Sequence, residues 1–259
     1  MLDAFSAADT TRGVDFPIPK NLPEPVTRVL GSFVDSAKTA FGADLKSIVL
    51  FGSAAEGMLR PASDVNLLIL LSAFEPGKAE KLREPLREAF AAIRLNAMFI
   101  LESELQSAMD AFAVKFSDIV RRHVILCGTD PFKGMSIPRE KAVARLKQTL
   151  LNLTLRMREA FVARGLREEQ LVFLIGDMAG PLRACAATLL ELKGTPCASG
   201  KGALAKMAAA LIGSPADSEL MDRISQARET RALPAGSAGA TFQSLMELAR
   251  EMWAQTNAL

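Results

Sequence analysis

The sequence predicts an α+β fold, in which a mixed β-sheet flanked by helices is followed by a bundle of helices. Four short runs rich in β-forming apolar residues lie within the first half of the chain. From residue 139 onward the apolar residues recur at helical spacing, and no strand pattern is visible. The stretch PFKGMSIP at 131–138 contains proline and glycine and has the composition of a linker. We therefore predict a loose arm at 1–21, a sheet-containing domain at 22–132 and a helical bundle domain at 139–259.

The sheet-containing domain opens with an amphipathic helix. Pro23, Glu24 and Pro25 are helix-start signals, apolar residues recur at i, i+3 and i+4 from Val26 onward, and Gly42 is a stop signal. Periodicity predicts further helices at 76–94, 102–111 and 116–122. The four strands are predicted at 47–51, 64–71, 96–101 and 123–127.

The second half of the chain carries five amphipathic segments with helix-stopping glycines between them. Cys185 and the methionines fall at core positions of these segments. A bundle is the expected packing of five such helices. The predicted helices span 139–164, 167–193, 201–212, 217–230 and 240–257.

The stretch from Ser47 to Leu71, SIVLFGSAAEGMLRPASDVNLLILL, is the most informative about function. A buried strand ends at Phe51, Gly52-Ser53 interrupts it, and a loop of small and polar residues follows. A second strand then opens at Asp64. This order predicts a small turn beside a carboxylate at one end of a sheet, where α/β proteins commonly bind ligands.

The letters FGS at 51–53, ten intervening residues and then DVN at 64–66 resemble the signature of the polymerase-β superfamily of nucleotidyltransferases. Members of that superfamily read Gly-Ser, a spacer of similar length and Asp-x-Asp. The resemblance implies transfer of a nucleoside monophosphate from a nucleoside triphosphate such as ATP, with Mg²⁺ or Mn²⁺ as cofactor. The helical half is similar, in helix order and length, to the helical domains that follow small nucleotidyltransferase domains.

The same resemblance implies roles for four residues. Gly52 and Ser53 would contact the triphosphate, Asp64 would be the catalytic metal ligand, and Asn66 would be a weak second ligand in place of an aspartate. Residues i and i+2 of a strand point to the same face, so 64 and 66 form a natural pair of metal-binding positions. Two-metal phosphoryl transfer needs several hard oxygen ligands converging on one point.

A third carboxylate is expected on the neighbouring strand, at 96–101. The position that matches best is Ala97, which cannot bind metal, and Asn96 and Met98 are no better. Glu102 and Glu104 lie close in sequence, but they stand where a helix begins, and capping of that helix also explains them. Two of the three expected carboxylates are therefore replaced.

Other residues admit a structural and a functional interpretation. Arg60 is a candidate phosphate contact in the loop after the Gly-Ser turn, whereas most charged loop residues are solvated. His123, the only histidine, opens a strand and is interpreted as structural. The run at 194–202 looks like a phosphate loop but lacks the spacing, so we predict an interhelical turn. The basic residues between 156 and 164 are either a solvated helix face or part of an interdomain cleft.

Composition limits the classes of partner. The net charge of +2 argues against a broad nucleic-acid-binding surface. Three scattered cysteines predict free thiols in a reducing compartment. There is no secretory leader pattern and no apolar run near the ~20 residues of a membrane helix, so we expect a cytoplasmic protein.

Two functional hypotheses follow. In the first, the protein binds a nucleoside triphosphate with Mg²⁺ in the cleft between the two domains and transfers a nucleotidyl group to a hydroxyl of an unknown acceptor. In the second, the fold has lost catalysis and serves as a nucleotide sensor or a protein-interaction module. The replaced carboxylates favour the second hypothesis, whereas Gly52-Ser53 and Asp64 favour retained nucleotide binding.

Overall fold

The computed structural model of the protein describes residues 18–19, 21–60, 63–197, 199–211 and 216–259. The predicted arm at 1–21 lies almost entirely outside the described residues.

The four predicted strands form one mixed sheet with the strand order β3-β2-β1-β4. Strand β1 pairs antiparallel with both β2 and β4, and β2 pairs parallel with β3. Each strand begins and ends within two residues of its predicted limits, because runs of Val, Ile and Leu fit the buried interior of a sheet. The strands are β1 Leu45–Phe51, β2 Val65–Leu71, β3 Leu95–Leu101 and β4 His123–Gly128.

Five helices accompany the sheet: α1 Glu24–Phe41, α2 Pro76–Lys81, α3 Arg83–Ile93, α4 Leu105–Ala111 and α5 Ala113–Arg121. The first three pack with one face of the sheet in one apolar cluster, and α4 and α5 pack with the opposite face in another. Side chains at Leu67 and Leu68 show the alternation, since they belong to the first and second clusters respectively.

The predicted single helix at 76–94 is wrong in one respect, because it is divided at Leu82 into α2 and α3. Pro85 explains the division. A proline inside a continuous helix removes one hydrogen bond and its ring collides with the carbonyl four residues earlier, here that of Lys81, the last residue of α2. In the first turn of a new helix the same proline is tolerated. Leu82 at the junction is buried against the sheet.

In the second half of the chain, the residues that the structure describes form five helices around one continuous apolar core. This arrangement confirms the predicted α+β architecture of a mixed sheet followed by a helical part. Val114 of α5 belongs to the same cluster, so α5 joins the sheet to the helices. An ion pair of 2.6 Å between Arg121 Nη1 and Glu191 Oε2 reinforces that junction. The helices are α6 Arg139–Arg164, α7 Glu168–Leu192, α8 Gly200–Leu211, α9 Ala216–Thr230 and α10 Ala238–Thr256.

Helix α7 is the central helix of this core. Among the described residues it is the one helix long and apolar enough to cross a membrane by length and composition, and 61% of that apolar window is buried inside the fold. Buried core helices of soluble proteins have the same property. Cys185 on this helix is buried, which raises the pKa of its thiol to about 12, and all three cysteines are free, as predicted.

Candidate active site

A cleft of about 1250 Å³ opens between the sheet and the helical part. The sheet side contributes the loop after β1, the start of β2 and one side of α5. The helical side contributes α6, the middle of α7, the start of α8 and the end of α9. The cleft therefore joins segments that are more than 100 residues apart in sequence.

All five residues that the sequence singled out for the site line this cleft: Gly52, Ser53, Arg60, Asp64 and Asn66. They meet because β1 and β2 are antiparallel neighbours, so Phe51 at the end of β1 lies opposite Asn66 near the start of β2. Gly52 has φ +80°, a conformation that strongly favours glycine, and begins the turn that covers residues 52–57.

Asp64 and Asn66 lie at the same end of β2, and each side chain already makes one hydrogen bond within the protein. The Asp64 Oδ1 atom accepts a hydrogen bond of 2.7 Å from Arg94 Nε. The Asn66 side-chain amide donates to the backbone carbonyl of Asp64 at 3.4 Å. Arg94 ends α3 in a left-handed conformation with φ +53°, and its carbonyl accepts from the N–H of Val65.

The expected match of Ala97 to the third carboxylate position is wrong. In the parallel ladder Ala97 pairs with Leu67, and both residues pack in the cluster beneath α1 and α3, on the face opposite to Asn66. The residue paired with Asn66 is Asn96, and Met98 follows on that same face. Neither is ionisable, so the conclusion that a carboxylate is absent from β3 stands.

The glutamates after β3 do not replace it. Glu104 Oε2 accepts a hydrogen bond of 3.0 Å from the backbone N–H of Leu101, which is the capping interaction that the sequence favoured. Glu102 is exposed in the same 3₁₀ turn. Neither glutamate lines the cleft.

These residues do not fit a two-metal centre. Across the described ranges no group of three or more His, Cys, Asp or Glu side chains is arranged to hold a metal ion. Asp64 is the one carboxylate at the start of β2, and Arg94 already neutralises it. A pair of Mg²⁺ ions needs several converging carboxylates, so no catalytic step through two metals follows from this geometry.

Arginines are the part of the site that sequence reasoning missed. Arg183 on α7 and Arg228 on α9 line the cleft opposite the Gly52-Ser53 turn. Neither makes an ion pair with a carboxylate in the described part of the chain, and Arg183 Nε is buried without a hydrogen-bond partner. Burial above all, together with repulsion from neighbouring cations including Arg60 and Arg122, lowers the pKa of each guanidinium to about 10.

One signal of Arg183 was present in the sequence. It is the single charged residue in the apolar stretch MAGPLRACAATLL at 178–190 of the central helix. An isolated arginine on a core helix is unusual unless it is paired or faces a site.

The remaining charges of the cleft are mostly paired. Arg122 bridges Asp118 and Glu56 at 2.5 and 2.9 Å. Arg231 Nη1 lies 2.9 Å from Asp177 Oδ1. The cleft is lined by eight cationic side chains (Arg60, Lys115, Arg122, Arg145, Arg183, Lys201, Arg228, Arg231) and by four acidic ones (Glu56, Asp64, Asp118, Asp177), and it therefore concentrates positive charge on a chain whose net charge is only +2.

The junction between α7 and α8 also lines the cleft, through Ser199 and the first two residues of α8, Gly200 and Lys201. Ser199 Oγ accepts from the backbone N–H of Gly202 and caps the start of α8. The predicted interhelical turn at 194–202 is correct for the described residues up to Ser199, whereas residues 200–202 already form the start of α8. Gly200 lets α8 approach α7 closely, because a Cβ at this position would lie 3.2 Å from Cβ of Arg183.

Two other predictions are settled by the fold. His123 is structural, because its Nδ1 lies 3.2 and 3.1 Å from the carbonyl oxygens of Ile119 and Val120 at the end of α5, and its ring packs edge-on to Phe132. The basic residues between 156 and 164 were interpreted either as a solvated helix face or as part of the cleft. The second interpretation is wrong, because none of these residues lines the cleft.

Comparisons with known proteins agree with this architecture. Residues 30–119 match the family model of the nucleotidyltransferase domain. Among solved structures the chain is similar to the crystal structure of spectinomycin adenyltransferase AAD(9) from Enterococcus faecialis with ATP and spectinomycin. The TM-score is 0.59 and the identity 14%, and the match covers 86% of this chain and 99% of that chain, so the likeness is one of fold. No curated protein matches the chain in sequence.

Proposed function

We propose that the cleft binds a nucleoside triphosphate, ATP being the first candidate, because residues 30–119 match the family model of the nucleotidyltransferase domain. One observation carries this proposal. The Gly52-Ser53 turn and Asp64 lie on one wall of a basic cleft, and two arginines without carboxylate partners, Arg183 and Arg228, lie on the other. A triphosphate carries about four negative charges, and arginine forks match phosphate oxygens.

Each wall has a role in the proposal. Ser53 and the backbone of the Gly52 turn contact the triphosphate, and Arg60 adds a guanidinium from the following loop. A Mg²⁺ or Mn²⁺ ion that the nucleotide carries would meet one carboxylate, Asp64, with the neutral oxygen of Asn66 beside it. The similarity to an enzyme crystallised with ATP supports ATP as the first nucleotide to test.

Nucleotidyl transfer is the reaction that the match to this family model supports in general. An acceptor hydroxyl oxygen would bond to the α-phosphorus, and pyrophosphate would leave. The similar adenyltransferase was crystallised with spectinomycin, so a small-molecule hydroxyl is one acceptor class to test. The residues supply no second metal-binding carboxylate, and we therefore expect transfer to be slow or absent.

A nucleotide sensor or protein-interaction module is the second candidate. The observation in its favour is the ion pair that neutralises Asp64, since a chain that uses this carboxylate for catalysis would leave it available. In both candidates the nucleotide site is the same, and only the chemistry differs.

Calorimetric titration of the full chain with ATP, GTP, CTP and UTP, in parallel with Ser53→Ala, tests the proposal. We expect binding of one molecule per chain that weakens by about tenfold in Ser53→Ala, the loss of one hydrogen bond to a charged group. Ser36→Ala, at a partly buried position of α1 outside the cleft, is the matched control. The proposal is wrong if no nucleotide binds, or if Ser53→Ala and Ser36→Ala behave alike.

A further inference from the structure

We infer that Arg60, Arg183 and Arg228 neutralise the bound triphosphate in place of protein-held metal ions, so that nucleotide binding does not require Mg²⁺. This inference rests on the proposed nucleotide site and concerns how that site holds its anion. It starts from two features that the polymerase-β signature does not contain. One is the loss of the metal-binding carboxylates, and the other is a set of arginines facing the turn at Gly52.

The carboxylate side of the cleft cannot hold a metal pair. Asn66 is neutral, the same face of β3 offers Asn96 and Met98, and Asp64 is hydrogen-bonded to Arg94. Charge neutralisation of a triphosphate is nevertheless a large part of what a phosphoryl-transfer site provides. If the site binds a triphosphate, other cations must supply it.

The helical wall offers two of those cations, and the loop after the Gly52-Ser53 turn offers the third, Arg60. Arg183 and Arg228 have no carboxylate partner among the described residues, and Arg60 has only a long contact, 3.6 Å from its Nε to Oε1 of the half-exposed Glu229. Burial is the main reason that the pKa values of Arg183 and Arg228 are lowered, and repulsion from Arg60 lowers both of them as well. Three mutually repelling, partly buried cations are costly in the free protein, and an anion between them relieves that cost.

The surroundings favour an anion at the same place. Arg183 Nε is buried and lacks a hydrogen-bond partner, although it is an obligatory donor. The start of α8 at Gly200 and Lys201 lies beside it and adds the positive end of a twelve-residue helix. None of the four acidic residues that line the cleft is left without a cationic partner, because Arg122, Arg231 and Arg94 pair with them.

Electrostatic attraction to these arginines then favours binding of the metal-free nucleotide over binding of its Mg²⁺ complex. Mg²⁺ reduces the charge of a triphosphate from about four to about two, which weakens its attraction to a wall of arginines. The wall supplies cations in fixed positions, whereas a metal pair would need the carboxylates that this chain lacks. We expect nucleotide affinity in EDTA to equal or exceed affinity in Mg²⁺.

The experiment compares the affinity of the full chain for ATP and for inorganic tripolyphosphate, each in EDTA and in excess Mg²⁺. Four proteins are compared: the wild type, Arg183→Gln, Arg228→Gln and the control Arg250→Gln. Arg250 is an exposed arginine of α10 outside the cleft. We expect wild-type affinities in the two conditions to agree within about threefold, and each cleft variant to lose at least about tenfold in EDTA. Arg183→Lys, which keeps the charge but not the fork, should recover part of the loss.

The outcomes separate the two proposals. ATP binding that is more than about threefold weaker in EDTA than in Mg²⁺ overturns this inference and leaves the proposed nucleotide site in place. Tripolyphosphate binding that depends on Arg183 and Arg228, without any nucleotide binding, keeps the arginine site and overturns the proposed function. Cleft variants that bind both probes as tightly as Arg250→Gln overturn the inference outright.

Discussion

Arg94 and Asp64 form an ion pair at the point where strands β2 and β3 begin, with 2.7 Å between Arg94 Nε and Asp64 Oδ1. The backbone fixes their proximity, since the N–H of Val65 donates to the carbonyl of Arg94 across the first rung of the parallel ladder. The carboxylate that corresponds to a metal ligand in the polymerase-β signature is thus held by a guanidinium from the end of α3.

Removal of Arg94 should increase the affinity of Asp64 for divalent cations. The side chains of Arg94 and Asp64 are 57% and 42% exposed, so the pair contributes at most about 1 kcal/mol and its loss should strengthen Mn²⁺ binding by no more than about fivefold. Mn²⁺ titration of Arg94→Ala, followed by electron paramagnetic resonance, measures this. Arg87→Gln, which breaks an exposed pair with Glu84 on α3, is the control and should leave Mn²⁺ affinity unchanged.

Restoring carboxylates should create a metal site only on the correct face of β3. Asn66→Asp combined with Met98→Asp places three carboxylates on one face of β2 and β3, and Mn²⁺ affinity should rise at least about tenfold. Asn66→Asp combined with Ala97→Asp is the matched control, because Ala97 lies on the other face. Equal Mn²⁺ affinities in the two double variants would contradict the register described above.

The substitution Ala97→Asp, which is one half of that control, should also lower the stability of the protein. Ala97 packs in the apolar cluster beneath α1 and α3, so a carboxylate there is partly buried without a partner. We expect Ala97→Asp alone to lower the free energy of unfolding by about 2 kcal/mol, measured by urea denaturation.

Arg228→Gln should stabilise the free protein while it weakens anion binding. Burial and nearby cations lower the pKa of Arg228 from 12.5 to about 10, so its charge disfavours the folded state at neutral pH. Replacing it should raise the free energy of unfolding by about 1 kcal/mol at pH 7, a value reduced for solvent screening.

The sign of the pH dependence provides a second test of this prediction. As pH rises above about 10, wild-type Arg228 loses its proton in the folded state before it does in the unfolded state, so its unfavourable contribution fades. The stability gap between wild type and Arg228→Gln should therefore narrow above pH 10, measured by denaturant unfolding at several pH values. A gap that is absent at pH 7, or that widens above pH 10, would contradict the account.

Gly128 should tolerate no side chain. A Cβ there would lie 1.9 Å from the carbonyl oxygen of Lys46 on β1, and the residue has φ +78°. Gly128→Ala should lower the free energy of unfolding by at least about 3 kcal/mol, because the β1–β4 pairing has to shift. Gly134 has nearly the same φ, +79°, but no atom within 4 Å of its Cβ position, so Gly134→Ala should cost only about 1 kcal/mol.

The sequence predicted secondary structure well where one physical signal dominated. The strands are short apolar runs bounded by turn residues, and helix α6 is a long periodic segment that begins after Pro138 and ends before Gly165. The division of the helix at Leu82 was missed because the apolar periodicity continues across it. The break arises from Pro85, whose ring would collide with the carbonyl of Lys81 in a continuous helix.

Half of the candidate site was accessible from sequence for a similar reason. Gly52, Ser53, Asp64 and Asn66 are close in the chain, and strand pairing brings them together. The face of the sheet on which Ala97 lies depends on how β3 is aligned with β2, and a shift of one residue reverses it. Alternation along β3 alone does not determine that alignment. Arg183 and Arg228 were missed because helical periodicity separates buried from exposed faces but does not identify the face that borders another domain.

A crystal structure of the full chain with ATP tests the central claim most directly. The account predicts a nucleotide in the cleft, with its triphosphate between the Gly52-Ser53 turn and the guanidiniums of Arg183 and Arg228. A nucleotide bound elsewhere on the protein, or a cleft that stays empty at saturating ATP, would contradict it.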